Sequence, residues 1–304
     1  MKIAIIGAGN IGSAIARGLG NCSRVSISDI SCSDPSGAAL EKMVKVNPEV
    51  GLTTNNVVAI KKADIILIAV KPWLVETVLT EIKPAIDYKK QILVSLAAGI
   101  SCETLSRYLV KEGGELPALF RAIPNTAIEV NESMTFIYPY HATEEQTNLI
   151  LQLFNDLGLA FVVEERLLNA GMTLASCGIA YAFRYIRAAI EGAVEIGINP
   201  QLAKEIEIQT LQGAIALLRA NNSHPEAEID RVTTPGGITI KGLNAMEQAG
   251  FTNAVIQGLK ASVLDQQKVP QAKTNAVEPF SQSFGMWADR EIDIKQIRQK
   301  SYER

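Results

Sequence analysis

Histidine and cysteine are scarce in this 304-residue chain: His141 and His224 are its two histidines, and Cys22, Cys32, Cys102 and Cys177 its four cysteines. The cysteines are scattered, with no CxxC pair, so neither a zinc site nor a disulfide framework is expected. An excess of one charge is lacking too. The formal net charge is −3 and no long basic run occurs, which argues against nucleic acid or an anionic membrane as partner. No apolar stretch approaches the roughly 20 residues of a membrane-spanning helix. The opening residues, MKIAIIGAGN, lack the longer apolar core and small-residue cleavage site of a secretory signal. A cytoplasmic protein is therefore the expectation.

What is present is a globular composition, 47% hydrophobic and 20% charged, long enough for one large or two ordinary domains. In the first half, short Ile- and Val-rich runs alternate with helical stretches. Lys2 to Ile6, Val25 to Ser28, Asp64 to Val70, Gln91 to Ser95 and Ala118 to Ile123 read as strands, and the unbroken run IILIAV suits burial on both faces. Asp34 before Pro35 reads as a helix N-cap followed by a first-turn proline. Such alternation implies right-handed crossovers and a parallel, doubly wound sheet.

Gly7-Ala8-Gly9-Asn10-Ile11-Gly12 follows the first strand and opens a helix whose apolar face includes Ile11, Ile15 and Leu19. In that context the GxGxxG spacing has a physical use. The first glycine makes the tight turn, the second admits a pyrophosphate, and the third lets helix and strand pack closely. Free N–H groups at the helix start then face the phosphates. Asp29 is read as the end of the second strand, where a carboxylate binds a ribose 2′-OH or, alternatively, caps the following turn. With no Arg or Lys nearby, NADH is mildly favoured over NADPH, although Ser31 and Ser33 offer hydroxyls to a phosphate.

From about Arg166 the pattern becomes helical. Leu168, Met172, Ala175, Ile179, Phe183, Ile186, Ile190 and Ala193 follow three- and four-residue steps, predicting one long amphipathic helix. Gly197 is read as its stop and Asn199-Pro200 as the next start. Two more helices are expected, from Ile240 to Gln248 and from Thr252. Helices this apolar need a partner, read as a second subunit or, alternatively, as the rest of the same monomer. Between them lies Val232-Thr233-Thr234-Pro235-Gly236-Gly237-Ile238-Thr239, a hydroxyl-bearing turn running into a helix. It reads equally as a carboxylate site and as plain capping.

Together these segments resemble the pyrroline-5-carboxylate reductase family. GAGNIG looks like its glycine fingerprint. Ala69 to Pro72 (AVKP), Ala98-Gly99 and Pro124-Asn125-Thr126 stand where the family has corresponding segments, and residues 230 to 247, DRVTTPGGITIKGLNAME, resemble its substrate-loop signature. The similarity runs over roughly residues 1 to 265. It implies NADH or NADPH as cofactor, held by Gly7, Gly9, Asn10, Ile11, Gly12, Asp29, Ser31 and Asn56, then by Ala69, Val70, Lys71 and Pro72, with Ala98 and Gly99 beyond. It implies a catalytic Thr239 contacting the ring nitrogen, and Thr234, Gly236 and Gly237 on the substrate carboxylate. By the same resemblance Pro124, Asn125 and Ala98 border the nicotinamide, and Asn125 and Cys177 fall beside the substrate. Cys177 and Ile179 replace a serine and a proline of many members, so a proline kink is expected to be lost. Ile30 stands where NADPH-using members often carry arginine.

The expected architecture is thus α/β. An N-terminal Rossmann-type doubly wound parallel sheet (residues 1–165) precedes an all-helical substrate and dimerisation domain (166–264) and a C-terminal tail (265–304). The expected activity is reduction of Δ1-pyrroline-5-carboxylate to L-proline by a homodimer, or by a larger assembly of dimers. Two other classes compete: a β-hydroxyacid-type dehydrogenase, which would carry a catalytic lysine on the long helix where this chain has Arg184 and Arg187, and a dinucleotide-sensing regulator. The tail is read as a polar linker, then the apolar cluster Phe284-Gly285-Met286-Trp287 and a short charged helix, or equally as disordered throughout.

Overall fold

The computed structural model describes residues 1–46 and 48–263; the expectations for the tail lie outside the described residues. Eight strands form one sheet: β1 (Ile3–Ile6), β2 (Ile30–Ser33), β3 (Gly51–Thr53), β4 (Ile65–Ile68), β5 (Ile92–Ser95), β6 (Ala118–Ile123), β7 (Ser133–Tyr140) and β8 (Gly158–Val162). Their order is β3-β2-β1-β4-β5-β6-β7-β8. The six strands from β3 to β6 in that order are parallel. β1, β4, β5 and β6 are buried at every position, which is why their sequences are apolar throughout except for Ser95 and Arg121. Side chains alternate between two cores: Ile3 and Ile5 join Ile15, Phe120 and Phe154 on one face, while Ala4 and Ile6 join Leu79, Leu93 and Leu105 on the other. The helices that cover these faces are α1 (Asn10–Gly20), α2 (Gly37–Val46), α3 (Asn56–Ile60), α4 (Val75–Ile82), α5 (Cys102–Leu109) and α6 (Glu144–Asn155).

Three differences from the sequence reading matter. The second strand is Ile30–Ser33, not Val25 to Ser28; Ile27–Asp29 is a short 3-10 turn ahead of it. Pairing of Ile3 with Ile30 and of Ile6 with Ser33 sets this register. Ile30 is consequently a core residue, 1% exposed, and cannot stand for a surface arginine. The sheet is also not wholly parallel: β7 runs antiparallel to β6, and β8 runs parallel to β7. β7 hides Ser133 and Thr135, whose hydroxyls bond each other at 3.1 Å, so its buried face lacks the apolar signature of a strand. Finally, α2 starts at Gly37, later than Asp34-Pro35 suggested. The Ser36 hydroxyl accepts from the Ala39 N–H, and the Asp34 carboxylate turns elsewhere.

The second half is helical among the described residues: α7 (Glu165–Gly171), α8 (Gly178–Glu195), α9 (Pro200–Asn221), α10 (Pro225–Val232), α11 (Ile238–Gln248) and α12 (Phe251–Ala261). The expected single long helix is interrupted by a π-helical turn at Met172–Cys177, although no proline lies there. Gly197, at φ +96°, ends the run after α8, and Asn199 caps α9 by accepting from the Gln201 N–H. α10 was not expected, because PEAEIDRV is too polar to show a face. α8 packs on α9, yet Phe183, Leu174, Ile215 and Ile238 remain more than half exposed. No described helix is long and apolar enough to cross a membrane.

Candidate dinucleotide and substrate site

The glycine turn after β1 has three different constraints. Gly7 sits at φ +107°, and a Cβ there would come within 2.7 Å of the Ala69 carbonyl oxygen. A Cβ on Gly12 would overlap the Gly7 carbonyl oxygen, so helix and turn touch backbone to backbone. A Cβ on Gly9 would meet nothing within 4 Å; its freedom is toward open space. α1 begins with no side-chain cap and no acidic residue in its first turn. Its leading N–H groups therefore present uncompensated positive charge, the standard electrostatics of an anion cradle.

A cleft of about 780 Å³ opens beside this turn. It lies at the carboxyl ends of the strands where the order reverses between β1 and β4, the switch point at which open α/β sheets take ligands. Gly7, Gly9, Asn10 and Ile11 form one wall; Ala69, Val70, Lys71 and Pro72 after β4, and Ala98 after β5, form another. Asn56 lines the β2 end together with Ser33, Asp34, Thr54 and Glu81. There the Ser33 hydroxyl donates to Asn56 Oδ1 at 2.7 Å, and Asn56 Nδ2 donates to Glu81 at 2.8 Å. Gly12 lies behind the wall, and Gly99, at φ +78°, turns the chain after Ala98.

Besides Gly12 and Gly99, two further expected cofactor residues, Asp29 and Ser31, do not line this cleft. Asp29 precedes β2, so it stands at the end of the strand away from the crevice. Ser31 aims its hydroxyl at the Ala59 carbonyl, 2.9 Å away. The acid at the carboxyl end of β2 is Asp34, whose two oxygens accept from the Ala8 and Ser36 N–H groups, each at 2.8 Å. The alternation of Ile30 and Cys32 was the signal for this placement, but Val25 and Ile27 alternate equally well.

Thr234, Gly236 and Gly237 form the turn between α10 and α11. Gly236 is left-handed (φ +74°), and the Gly237 N–H donates to the Thr234 carbonyl at 2.9 Å. α11 starts on Gly237 without a side-chain cap or first-turn acid, so its leading N–H groups are also open to an anion. Thr234, Gly236 and Thr239 are exposed, and the residues lining the cleft all come from the sheet half of the chain. Asn125 is 7% exposed and follows β6. Cys177 ends the π turn, half-buried. Burial pushes the Cys32 and Cys102 thiols up to about 12, leaving both protonated and inert at neutral pH.

Residues 165–269 match the model described as pyrroline-5-carboxylate reductase dimerisation, and residues 2–99 match that of the NADP oxidoreductases dependent on coenzyme F420. Pyrroline-5-carboxylate reductase 2 of Dictyostelium discoideum is 35% identical over 295 residues, covering 92% of this chain and 96% of the relative. The chain belongs to the pyrroline-5-carboxylate reductase family. Pyrroline-5-carboxylate reductase 1 of the same organism is 36% identical over 272 residues; these cover 86% of this chain, which spans only 48% of that longer relative. Among solved structures, the Plasmodium falciparum pyrroline carboxylate reductase with NADP bound superposes with a TM-score of 0.78 at 25% identity, covering 86% of this chain and 95% of that one.

Proposed function

We infer that the protein reduces Δ1-pyrroline-5-carboxylate to L-proline with NADPH or NADH, the last step of proline synthesis. The observation that carries this reading is the pairing of a Gly9-lined dinucleotide cleft with the exposed Thr234–Thr239 turn, in a member of this family. The cleft fits a dinucleotide because a Cβ at Gly9 would project into free space beside the uncapped start of α1. Gly7, Gly9, Asn10, Ile11, Asn56, Ala69, Val70, Lys71, Pro72 and Ala98 would hold the cofactor, with Asp34 and Ser33 taking the places first given to Asp29 and Ser31. A smaller recess on the other side of Gly9, lined by Ser36 and Lys42, favours the phosphorylated form. When bound, the reduced nicotinamide supplies a hydride to the C=N carbon.

The chain's own work is orientation. The protonated imine is already electrophilic; its C=N bond becomes CH–NH, and the nitrogen keeps its proton. No strong acid is needed, in keeping with a site that carries no histidine motif. The Thr239 hydroxyl would hold the ring nitrogen, and the Thr234 hydroxyl, the Gly236 N–H and the uncapped N–H groups that follow Gly237 would hold the carboxylate, the Gly237 N–H itself being engaged by the Thr234 carbonyl. We place the domain divisions at 165/166 and 264/265. The exposed apolar faces of α8 and α9 fit a homodimer, and a second copy is then the source of the turn that completes each cleft. In a cytoplasmic setting the four free cysteines would stay reduced.

The decisive assay is oxidation of NADPH and NADH with pyrroline-5-carboxylate, set against 2-keto and 3-keto acids. Turnover with the keto acids alone would favour a β-hydroxyacid-type dehydrogenase, although residues 165–195 contain no lysine. Thr239→Ala is expected to lower kcat/KM for the imine about tenfold to a hundredfold, the worth of one hydrogen bond of roughly 1.5–3 kcal/mol. Dinucleotide affinity should hardly change, because Thr239 is outside the cleft. Unchanged kcat/KM in a folded variant removes Thr239 from the chemistry.

A further inference from the structure

Two segments remote in sequence are stitched together next to the cluster of Ile123, Leu168 and Met172, against which the cleft residue Ala98 packs. Asn125 immediately follows Ile123-Pro124 at the end of β6. Its Oδ1 accepts from the Ala127 N–H at 3.0 Å, capping the 3-10 turn Thr126–Val130, and its Nδ2 donates to the Ala175 carbonyl at 3.3 Å. In return, the Ser176 hydroxyl donates to the Pro124 carbonyl at 2.9 Å. The backbone N–H of Asn125 is spent on Ser133 Oγ at 3.2 Å. Both ends of the buried carboxamide are thus committed to the protein.

Ala175 and Ser176 belong to the π turn Met172–Cys177. A π turn widens the helix by one residue and exposes carbonyls to partners outside the ladder, a device frequent at functional sites. Such distortions need a cause; without a proline, the two bonds from Pro124 and Asn125 supply one. The register of α8 after the turn, and with it the direction in which Cys177 faces, follows from where this turn is held.

We propose that Asn125 is a positioning residue of the reduction: it sets the π turn of the helical domain against the loop after β6, and does not itself bind substrate or cofactor. The proposal rests on the imine-reductase reading above. A misplacement of the reacting partners by about 1 Å is enough to lower a rate roughly a hundredfold, so the stitch bears on rate more than on affinity.

Asn125→Ser and Asn125→Asp each keep an oxygen to cap Ala127; the aspartate carboxylate has no donor for the Ala175 carbonyl, and the serine hydroxyl sits too near the backbone to cap Ala127 and reach that carbonyl as well. Both are expected to lower kcat about ten- to hundredfold. The Kd for NADPH, measured by its fluorescence, and the KM for pyrroline-5-carboxylate should stay within about twofold. With 4-deuterated NADPH, the isotope effect on kcat should rise, because chemistry becomes slower than product release. Ser176→Ala is expected to give a smaller loss of the same kind, non-additive with Asn125→Ser. An unchanged kcat in folded Asn125→Ser overturns the proposal. So does a raised KM with kcat intact, which would make Asn125 a substrate ligand, or a weakened NADPH affinity, which would make it a cofactor ligand. A wild-type protein inactive on the imine instead overturns the functional reading on which the proposal stands.

Discussion

Gly12→Ala should cost the protein much of its stability, whereas Gly9→Ala should fold normally and lose its dinucleotide. The two glycines are three residues apart in one motif, yet their surroundings are opposite. A methyl on Gly12 would enter the Gly7 carbonyl oxygen, with the Ile5 side chain 3.3 Å away. Backbone stands on one side and the first strand on the other, so relief requires moving α1. Overpacking ordinarily costs 1–3 kcal/mol, and with backbone as the obstacle about 3 kcal/mol is expected, or roughly 6–12 °C in Tm for a domain of this size. Gly9 has φ −69° and ψ −171°, which any residue adopts, and empty space around its missing Cβ. Its alanine variant should melt within about 2 °C of the parent and bind NADPH at least about tenfold more weakly, because the methyl occupies the approach of the pyrophosphate. Thermal melts and fluorescence titrations on both variants check this; a Gly9→Ala protein with parental affinity would show that the cradle is elsewhere.

Glu165→Ala is expected to be the most destabilising change at the junction between the two halves of the chain. Arg121, on β6, has a side chain only 2% exposed, and its NH1 lies 2.9 Å from Glu165 Oε1 at the start of α7. Its Nε is buried without a hydrogen-bond partner, so Glu165 provides the charge compensation for this guanidinium. The same carboxylate oxygen accepts the Cys102 N–H at 2.7 Å, bracing the first turn of α5. Removing one member of a buried pair costs about 3–5 kcal/mol; Glu165 is 30% exposed, and water can partly replace it, so about 3 kcal/mol is expected. Arg121→Met should be far milder, since it removes the buried charge and fills a similar volume. Urea unfolding of both variants decides the matter. Equal losses would mean that shape, not charge, matters at this junction.

Much of the fold was legible because burial writes itself into periodicity. β1, β4, β5 and β6 are covered on both faces, so apart from Ser95 and the charge-paired Arg121 each is an apolar run, and a glycine turn between such a strand and an amphipathic helix has few other uses. The dinucleotide cleft was readable for the same reason: its walls are short segments next to these strands. β7 was not readable, because it buries Ser133 and Thr135, whose hydroxyls satisfy each other only once the strand is in place.

By itself the sequence determined the α/β plan, the positions of Gly7, Gly9 and Gly12, and the polar turn at Thr234–Thr239, since each depends on local backbone chemistry. Tertiary structure alone decided between Asp29 and Asp34. Val25-Ser26-Ile27 and Ile30-Ser31-Cys32 alternate alike, and only hydrogen bonding to β1 selects the second as the strand and so moves the acid by five residues. It also decided the π turn, because the three- and four-residue apolar steps running through Ala175 and Ile179 are those of an ordinary helix. What distinguishes the turn is a carboxamide on Asn125, fifty residues earlier, reaching a carbonyl that a regular helix would have kept for itself.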